Sequence, residues 1–235
     1  MLPIATRSAL LAVLALAAAG CGLLRSAPSD AERLAETAQR LAEAPTDSAR
    51  TAVAVALLRE AGLTPVAGDR FEYGLPGAGR VVAGFVPGRA PLARDTLVVV
   101  AASIAGADAA VLAEAARRLV EAADQTGADP GRSVLVALWS TDFGPALVPG
   151  EVLAFPLWPR GAVRQILLVG GPPTDAGTVS ASGVPAEVVS SGPVEPLTPE
   201  RLATRIVAAA RATAAYGQPA IPAAPEDSVQ TPTRN

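Results

Sequence analysis

The sequence predicts an α/β fold, a three-layer α/β/α sandwich whose central sheet is mixed but mostly parallel. Continuous apolar runs rich in valine, alanine and leucine lie at residues 96–102, 133–140 and 166–169. Such runs are typical of strands that are buried on both faces of a sheet. Helical patterns with one apolar face alternate with these runs, as expected for parallel strands joined by helices. We expect one domain of this kind over residues 30–217.

Two helices are predicted at the start of this domain. Ser29 or Asp30 can cap the first, because a side-chain oxygen at that position accepts a hydrogen bond from a free backbone amide. Thr46 or Asp47 can cap the second, and Gly62 ends it. The apolar residues on the inner faces of the two helices are Leu34, Ala38, Leu41, Ala42, Val53, Leu57 and Leu58.

Short strands and a turn precede the first buried run. Residues 63–66 and 70–73 are strand-like, residues 74–80 are a glycine-rich turn, and residues 81–86 form another strand. The glycines of the turn are spaced as in a phosphate-binding loop, but no long apolar strand precedes them and no helix follows. A hairpin turn is therefore the better interpretation.

The second half of the domain continues the alternation of helices and strands. We expect a helix over residues 109–123, a strand over residues 184–189 and a last helix over residues 199–216, which starts with a proline. Residues 175–177 (Asp-Ala-Gly) are interpreted as a turn. Residues 218–235 are rich in proline, alanine and polar residues, and we expect them to be disordered.

The composition excludes several kinds of active site. The 235 residues include no histidine and no lysine, and the only cysteine is Cys21. Ser-His-Asp, Cys-His and Ser-Lys systems, lysine Schiff bases and P-loop phosphate sites therefore cannot form. A structural zinc site needs thiolates or imidazoles, so it is excluded as well, and we expect no cofactor. The net charge of −3, without a basic block, gives no basis for a nucleic-acid partner.

The first residues have the pattern of a bacterial lipoprotein signal peptide. Arg7 supplies a positive charge, and the apolar run of residues 8–19 is shorter than the roughly 20 residues of a membrane-spanning helix. Small residues stand directly before Cys21, as in a lipobox, although Ala18 takes the place of the usual leucine. We therefore predict a signal peptide over residues 1–20 and lipidation of Cys21.

Lipid on Cys21 predicts a membrane anchor and places the domain outside the cytoplasm, in the cell envelope. Several acyl chains on one cysteine are enough for stable anchoring. Residues 21–29 then comprise the lipidated cysteine and a short tether. Gly22 stands where the common inner-membrane retention signal has an aspartate, and this favours an outer membrane.

Six segments, taken in order, carry a resemblance to a known family. They are LLREAGLTPV (57–66), RVVAGFVPG (80–88), TLVVVAASIAGAD (96–108), AAVLAEAARRLVEA (109–122), RSVLVALWSTDFG (132–144) and LTPERLATRIVAAA (197–210). Their order and spacing resemble the co-catalytic zinc exopeptidases of the M twenty-eight type, which include bacterial aminopeptidases. The resemblance implies the zinc-exopeptidase fold, in which a glutamate acts as general base on a water between two zinc ions.

The metal ligands that the resemblance implies are replaced in this chain. The family's His-x-Asp falls on residues 103–105 (Ser-Ile-Ala), and its pair of glutamates falls on residues 141–142 (Thr-Asp). Asp108 falls at the position of the bridging carboxylate. The aspartate of the third strand falls near residues 168–169, which are apolar, and the last histidine has no counterpart in residues 194–198.

The two carboxylates that remain, Asp108 and Asp142, are too few for a metal site, because hard cations need roughly six oxygens or more. Asp108 can equally be a helix N-cap or a loop residue, and Asp142 can be a polar residue at a strand end. Thr141, in the place of the general base, cannot do that work near neutral pH. We therefore expect no metal and no catalytic residue.

These replacements predict a catalytically inactive domain that kept a ligand cleft. In α/β sheets, ligands bind at the carboxyl ends of the strands. The ligand would be a peptide, a cell-wall fragment or another envelope protein. The residues expected to line the cleft are Ser103, Asp108, Thr141, Asp142 and Phe143.

Two alternatives stay open. One is an active hydrolase with a carboxylate-only site, for which Asp142 and Glu151 are the nearest candidates. The other is a structural lipoprotein that docks a partner through residues 148–158, with Phe155 and Trp158 among its anchors. Those aromatic residues can also simply cover the core beside the cleft.

Overall fold

The computed structural model of the chain describes residues 28–75, 79–88, 96–126, 130–140, 162–171, 174–180, 184–190 and 195–215. The predicted signal peptide, Cys21 and the tail over residues 218–235 lie outside these ranges. The chain divides into two compact units, residues 1–36 and residues 37–235. The described strands and the helices after residue 43 belong to the second unit.

Five helices and seven strands make up the described part of the chain. In chain order they are α1 (Asp30–Glu43), α2 (Asp47–Glu60), β1 (Thr64–Pro65), β2 (Glu72–Leu75), β3 (Gly79–Val86), β4 (Leu97–Ser103), α3 (Ala107–Thr126), β5 (Ser133–Trp139), β6 (Val163–Val169), α4 (Thr174–Ser180), β7 (Ala186–Val189) and α5 (Pro199–Ala215). No helix in these ranges combines the length and apolar character that crossing a membrane requires.

The described strands form one mixed sheet in the order β1-β3-β5-β4-β6-β7, with β2 also paired to β3. Strands β5, β4, β6 and β7 run parallel to one another. Strand β3 runs antiparallel to β5, and the short strands β1 and β2 run antiparallel to β3. The predicted α/β fold with a mixed, mostly parallel sheet is confirmed, and β2 and β3 pair as the hairpin interpretation requires.

The apolar runs form the centre of the sheet. Every residue of β5 is buried, as are residues 97–102 of β4. This is the burial expected of central strands that are covered on both faces. Within β4, Val99 and Ala101 belong to a cluster that includes Val179 of α4 on one face. The alternate residues, such as Val98 and Val100, face the layer of α3 and α5. Helices therefore lie on both faces of the sheet.

The predicted helix caps are assigned by the structure. Ser29 caps α1: its amide donates to Glu32 Oε2 (2.7 Å), and the Glu32 amide donates to Ser29 Oγ (3.3 Å). This reciprocal pair is a capping box, and its hydrogen bonds lower the pKa of Glu32. Thr46 caps α2 by accepting from the Ala49 amide (3.1 Å). Gly62, with φ of +79°, follows α2 and turns the chain towards β1.

Helix α4 corrects the interpretation of residues 175–177 as a turn. These residues lie inside the helix Thr174–Ser180. Asp175 stands in its first turn, where a carboxylate interacts favourably with the helix dipole. The sequence did not predict this helix, because seven residues span only about two turns and show little helical periodicity. Gly177 also lowers the helix propensity of the segment.

Candidate functional site

Three parallel strands end at the same edge of the sheet, and their last residues outline the candidate site. Ser103 is the last residue of β4, Ser140 directly follows β5, and Gly170 directly follows β6. The register places Ser103 beside Trp139 and Ala102 beside Val169, so these three strand ends are neighbours. Ligands of α/β sheets bind at this edge.

Ser103 is half-buried and begins the turn that leads into α3. Its carbonyl oxygen accepts a hydrogen bond from the Gly106 amide (3.3 Å), and its hydroxyl accepts a long one from the Ala105 amide (3.4 Å). The Gly106 carbonyl in turn accepts from the Ala109 amide (3.1 Å). Ser103 therefore shapes the local backbone at the end of β4.

Asp108 stands in the first turn of α3, one position inside the helix. The structure corrects the possibility that it is the N-cap, because the helix already begins at Ala107. Its side chain is half-buried and lies against the backbone of Gly170. A Cβ atom on residue 170 would overlap the Asp108 carboxylate, at 2.7 Å from its Cγ. Ser103, Asp108 and the end of β6 are thus brought together.

Gly170 and Gly171 form a turn that sequence reasoning did not include in the site. Both adopt positive φ, +78° and +87°, a region that favours glycine. A Cβ on residue 171 would come within 2.8 Å of Asp175 Oδ2, so a second carboxylate borders this turn. The signal that could have found the turn was the glycine pair directly after the apolar run of residues 166–169.

Ser140 is a second hydroxyl that sequence reasoning missed. Only 5% of it is exposed, and within the described part of the chain its Oγ has no hydrogen-bond partner. Its amide donates to the carbonyl of Arg80 on β3 (3.3 Å), while the carbonyl of Trp139 accepts from the Ile104 amide (2.8 Å). A buried hydroxyl without a partner leaves a polar group at this edge that a ligand or a water can satisfy.

The other predicted cleft residues, Thr141, Asp142 and Phe143, lie outside the described residues, as do Glu151 and the segment 148–158. Residues 168–169, near which the resemblance implies an aspartate ligand, are buried among apolar side chains.

The described residues of the site do not fit a dinuclear zinc centre. No group of three His, Cys, Asp or Glu side chains in the described ranges could hold a metal ion together. Asp108 and Asp175 supply carboxylate oxygens, but zinc sites in proteins are built largely from imidazole and thiolate ligands. The chain contains no histidine and no lysine side chain that could activate Ser103 or Ser140 as a nucleophile. The arrangement can bind polar groups by hydrogen bonds.

Solved structures that are similar to this chain include zinc-dependent exopeptidases and aminopeptidases. One is a proposed zinc-dependent exopeptidase from Bacteroides vulgatus, with 13% identity and a TM-score of 0.46, covering 82% of this chain and 98% of that one. An aminopeptidase from Aneurinibacillus sp. strain AM-1 has 13% identity and a TM-score of 0.39, covering 58% of this chain and 47% of that one. The LapA aminopeptidase of Legionella pneumophila has 12% identity and a TM-score of 0.38, covering 66% and 53%.

The chain spans about half the length of these two aminopeptidases. No protein-family model and no curated protein sequence matches it.

Proposed function

We propose that the chain is an exported lipoprotein, held on a membrane by lipid on Cys21, whose α/β domain binds a ligand without hydrolysing it. The domain lies outside the cytoplasm, on an outer membrane where the cell has one. The ligand is a peptide, a cell-wall fragment or another envelope protein, bound at the carboxyl ends of the central strands.

The replacement of the ligands that the resemblance implies carries the proposal of inactivity. The resemblance implies an aspartate ligand near residues 168–169, and these residues are apolar and buried. Beside them, the Asp108 carboxylate takes the space that a Cβ on residue 170 would occupy. The chain also contains no histidine, so neither an imidazole ligand nor an imidazole base can replace the missing groups. Hydroxyls at Ser103 and Ser140 together with the Asp108 carboxylate favour binding by hydrogen bonds.

Purified protein should contain no stoichiometric zinc and should not release amino acids from aminoacyl reporter substrates, with or without added zinc. The reason is that the described residues of the site offer too few metal ligands, and that Thr141 stands where the resemblance implies the general base. Elemental analysis and the rate of reporter hydrolysis measure the two properties. Two tightly held zinc ions per chain, or hydrolysis that Asp142→Ala abolishes, would show that the domain is an active hydrolase.

Ligand binding is measured on the same protein by amide NMR shifts during titration with short peptides and soluble cell-wall fragments. Saturable shifts should concentrate at residues 103–108, at Ser140 and at residues 170–171. Ser103→Leu should weaken the binding, because a larger apolar side chain fills the half-buried position. Shifts spread evenly over the surface would contradict a cleft at this edge and would favour a purely structural role.

Replacing Cys21 with alanine should move the protein from the membrane fraction to the soluble fraction of the cell envelope, or leave it with an uncleaved signal peptide. The thiol is the only site in the chain for thioether-linked lipid. Incorporation of labelled palmitate, followed by fractionation, measures the change. Ser26→Ala, in the predicted tether, is the matched control and should leave labelling intact. Equal labelling of the Cys21 variant would refute the lipid anchor.

A further inference from the structure

A cleft of about 520 Å³ opens beside α2. It adjoins the candidate site at Arg80, whose carbonyl oxygen accepts a hydrogen bond from the Ser140 amide (3.3 Å). The last turn of α2, the turn before β2 and the first residues of β3 form its walls. Three of its lining side chains are cationic and two are anionic, so positive charge is in excess. The lining residues that carry the argument are Arg59, Asp69, Arg70, Phe71, Glu72 and Arg80.

The Arg59 guanidinium stacks over the aromatic ring of Phe71. Its Cζ lies 5.8 Å from the centroid of the Phe71 ring, within the range of a cation–π interaction. Phe71 itself is only 3% exposed and packs closely against Gly84 of β3. The guanidinium is therefore supported on one face by a fixed ring, while its hydrogen-bond donors remain at the surface of the cleft.

Arg70 is positioned by a tight two-residue turn. The amides of Ala67 and Arg70 each donate to the other residue's carbonyl oxygen at 3.1 Å, and Gly68 between them has φ of +67°. This pair of hydrogen bonds fixes the backbone that carries Arg70 and Asp69. Arg70 thus reaches the cleft from a different element than Arg59 does.

The charges in the cleft are only partly neutralised. Arg80 forms an ion pair with Glu72 at 3.5 Å, and both side chains are well exposed to solvent. Arg59 and Arg70 form no ion pair with any other residue in the described ranges. The guanidinium groups of Arg59 and Arg70 are therefore available to an anion. Arg80, which is exposed, can turn from Glu72 towards the same anion.

We propose that this cleft binds a phosphate-bearing ligand. A single arginine can satisfy a planar carboxylate through two parallel hydrogen bonds. Guanidinium groups that converge from a helix, a turn and a strand are better matched to a tetrahedral group with several charged oxygens. The volume is that of a small-molecule site. The phosphate can come from a soluble ester or from a lipid headgroup, and the proposal does not depend on the function of the strand-end cleft.

The test titrates inorganic phosphate, glycerol 3-phosphate and short-chain phosphatidic acid below its micelle concentration into the purified full chain. Calorimetry and amide NMR shifts follow the binding. Arg59→Gln and Arg70→Gln should each weaken binding about tenfold, because each removes a charge-assisted hydrogen bond. Arg164→Gln is the matched control: it removes one exposed cation of β6, outside the cleft, and should leave affinity unchanged.

Equal affinity for glycerol 3-phosphate and phosphatidic acid assigns the cleft to soluble esters, and much tighter binding of phosphatidic acid assigns it to lipid headgroups. Arg70 is exposed, so Arg70→Gln should not disturb the fold. It therefore tests the proposal even where Arg59→Gln loosens the packing on Phe71. The proposal is overturned when none of the three probes gives saturable shifts around the cleft. It is also overturned when Arg164→Gln weakens binding as much as Arg70→Gln does.

Discussion

Gly170→Ala should lower the free energy of unfolding by about 3 kcal/mol, as the sum of a backbone penalty and a steric one. The φ of +78° places residue 170 in a region that costs a residue with a Cβ about 1–2 kcal/mol. The added methyl group would also overlap the Asp108 carboxylate. Urea denaturation of the purified chain, followed by circular dichroism, measures the loss.

Two comparisons separate these causes. Gly68→Ala has a similar φ of +67° but nothing within 4 Å of the added Cβ, so it should cost only about 1 kcal/mol. Adding Asp108→Ala to Gly170→Ala should recover the steric part, leaving a loss close to that of Gly68→Ala. Additive losses in the double variant would mean that Asp108 does not lie against Gly170. The packing described at this edge of the candidate site would then be wrong.

Gly88→Ala should lower the free energy of unfolding at least as much as Gly170→Ala does, by about 3 kcal/mol or more. A Cβ at this position would lie 2.5 Å from the carbonyl carbon of Arg132, 2.6 Å from the Gly131 oxygen and 2.7 Å from the Ser133 nitrogen. All three are backbone atoms, so no side-chain rotation can relieve the overlap. The chain after β3 would have to move away from the start of β5, where the Gly88 amide donates to Ser133 Oγ (3.1 Å).

Gly177→Ala is the control of opposite sign. Gly177 lies within helix α4, and nothing lies within 4 Å of the added Cβ. Alanine there should stabilise the protein by up to about 1 kcal/mol, because it favours the helical backbone. Thermal unfolding of both variants in parallel measures the contrast. A Gly88→Ala protein that unfolds at the wild-type temperature would show that β3 and β5 do not approach each other as described.

The buried strands could be predicted because their signal is local. Strands β4 and β5 are continuous apolar runs, and a strand covered on both faces needs no other pattern. The N-caps of α1 and α2 could each be predicted to within two residues, because a cap is defined by a few neighbouring positions in the chain. Helix α4 escaped prediction because its seven residues carry too little periodicity to distinguish a helix from a turn.

The candidate site was predictable only in part. Ser103 and Asp108 follow a recognisable strand, so their place at a strand end could be inferred from the chain. Gly170 and Ser140 enter the site because β4 pairs with both β5 and β6, and pairing between strands far apart in the chain leaves little trace in a single sequence. The cleft beside α2 forms because α2 packs against β3, and this packing likewise leaves little trace in the sequence.

The sequence by itself determined which chemistry is excluded: without histidine or lysine, catalysis by an imidazole or by a lysine side chain cannot occur in any fold of this chain. It also determined the alternation of helices and apolar strands, because burial of an apolar run depends on composition. Only the tertiary structure decided that the Asp108 carboxylate lies against Gly170 and that Arg59 and Arg70 share one cleft. The contact between Asp108 and Gly170 joins segments distant in the chain and depends on how β4 and β6 pair. The cleft depends on how helix α2 packs against β3.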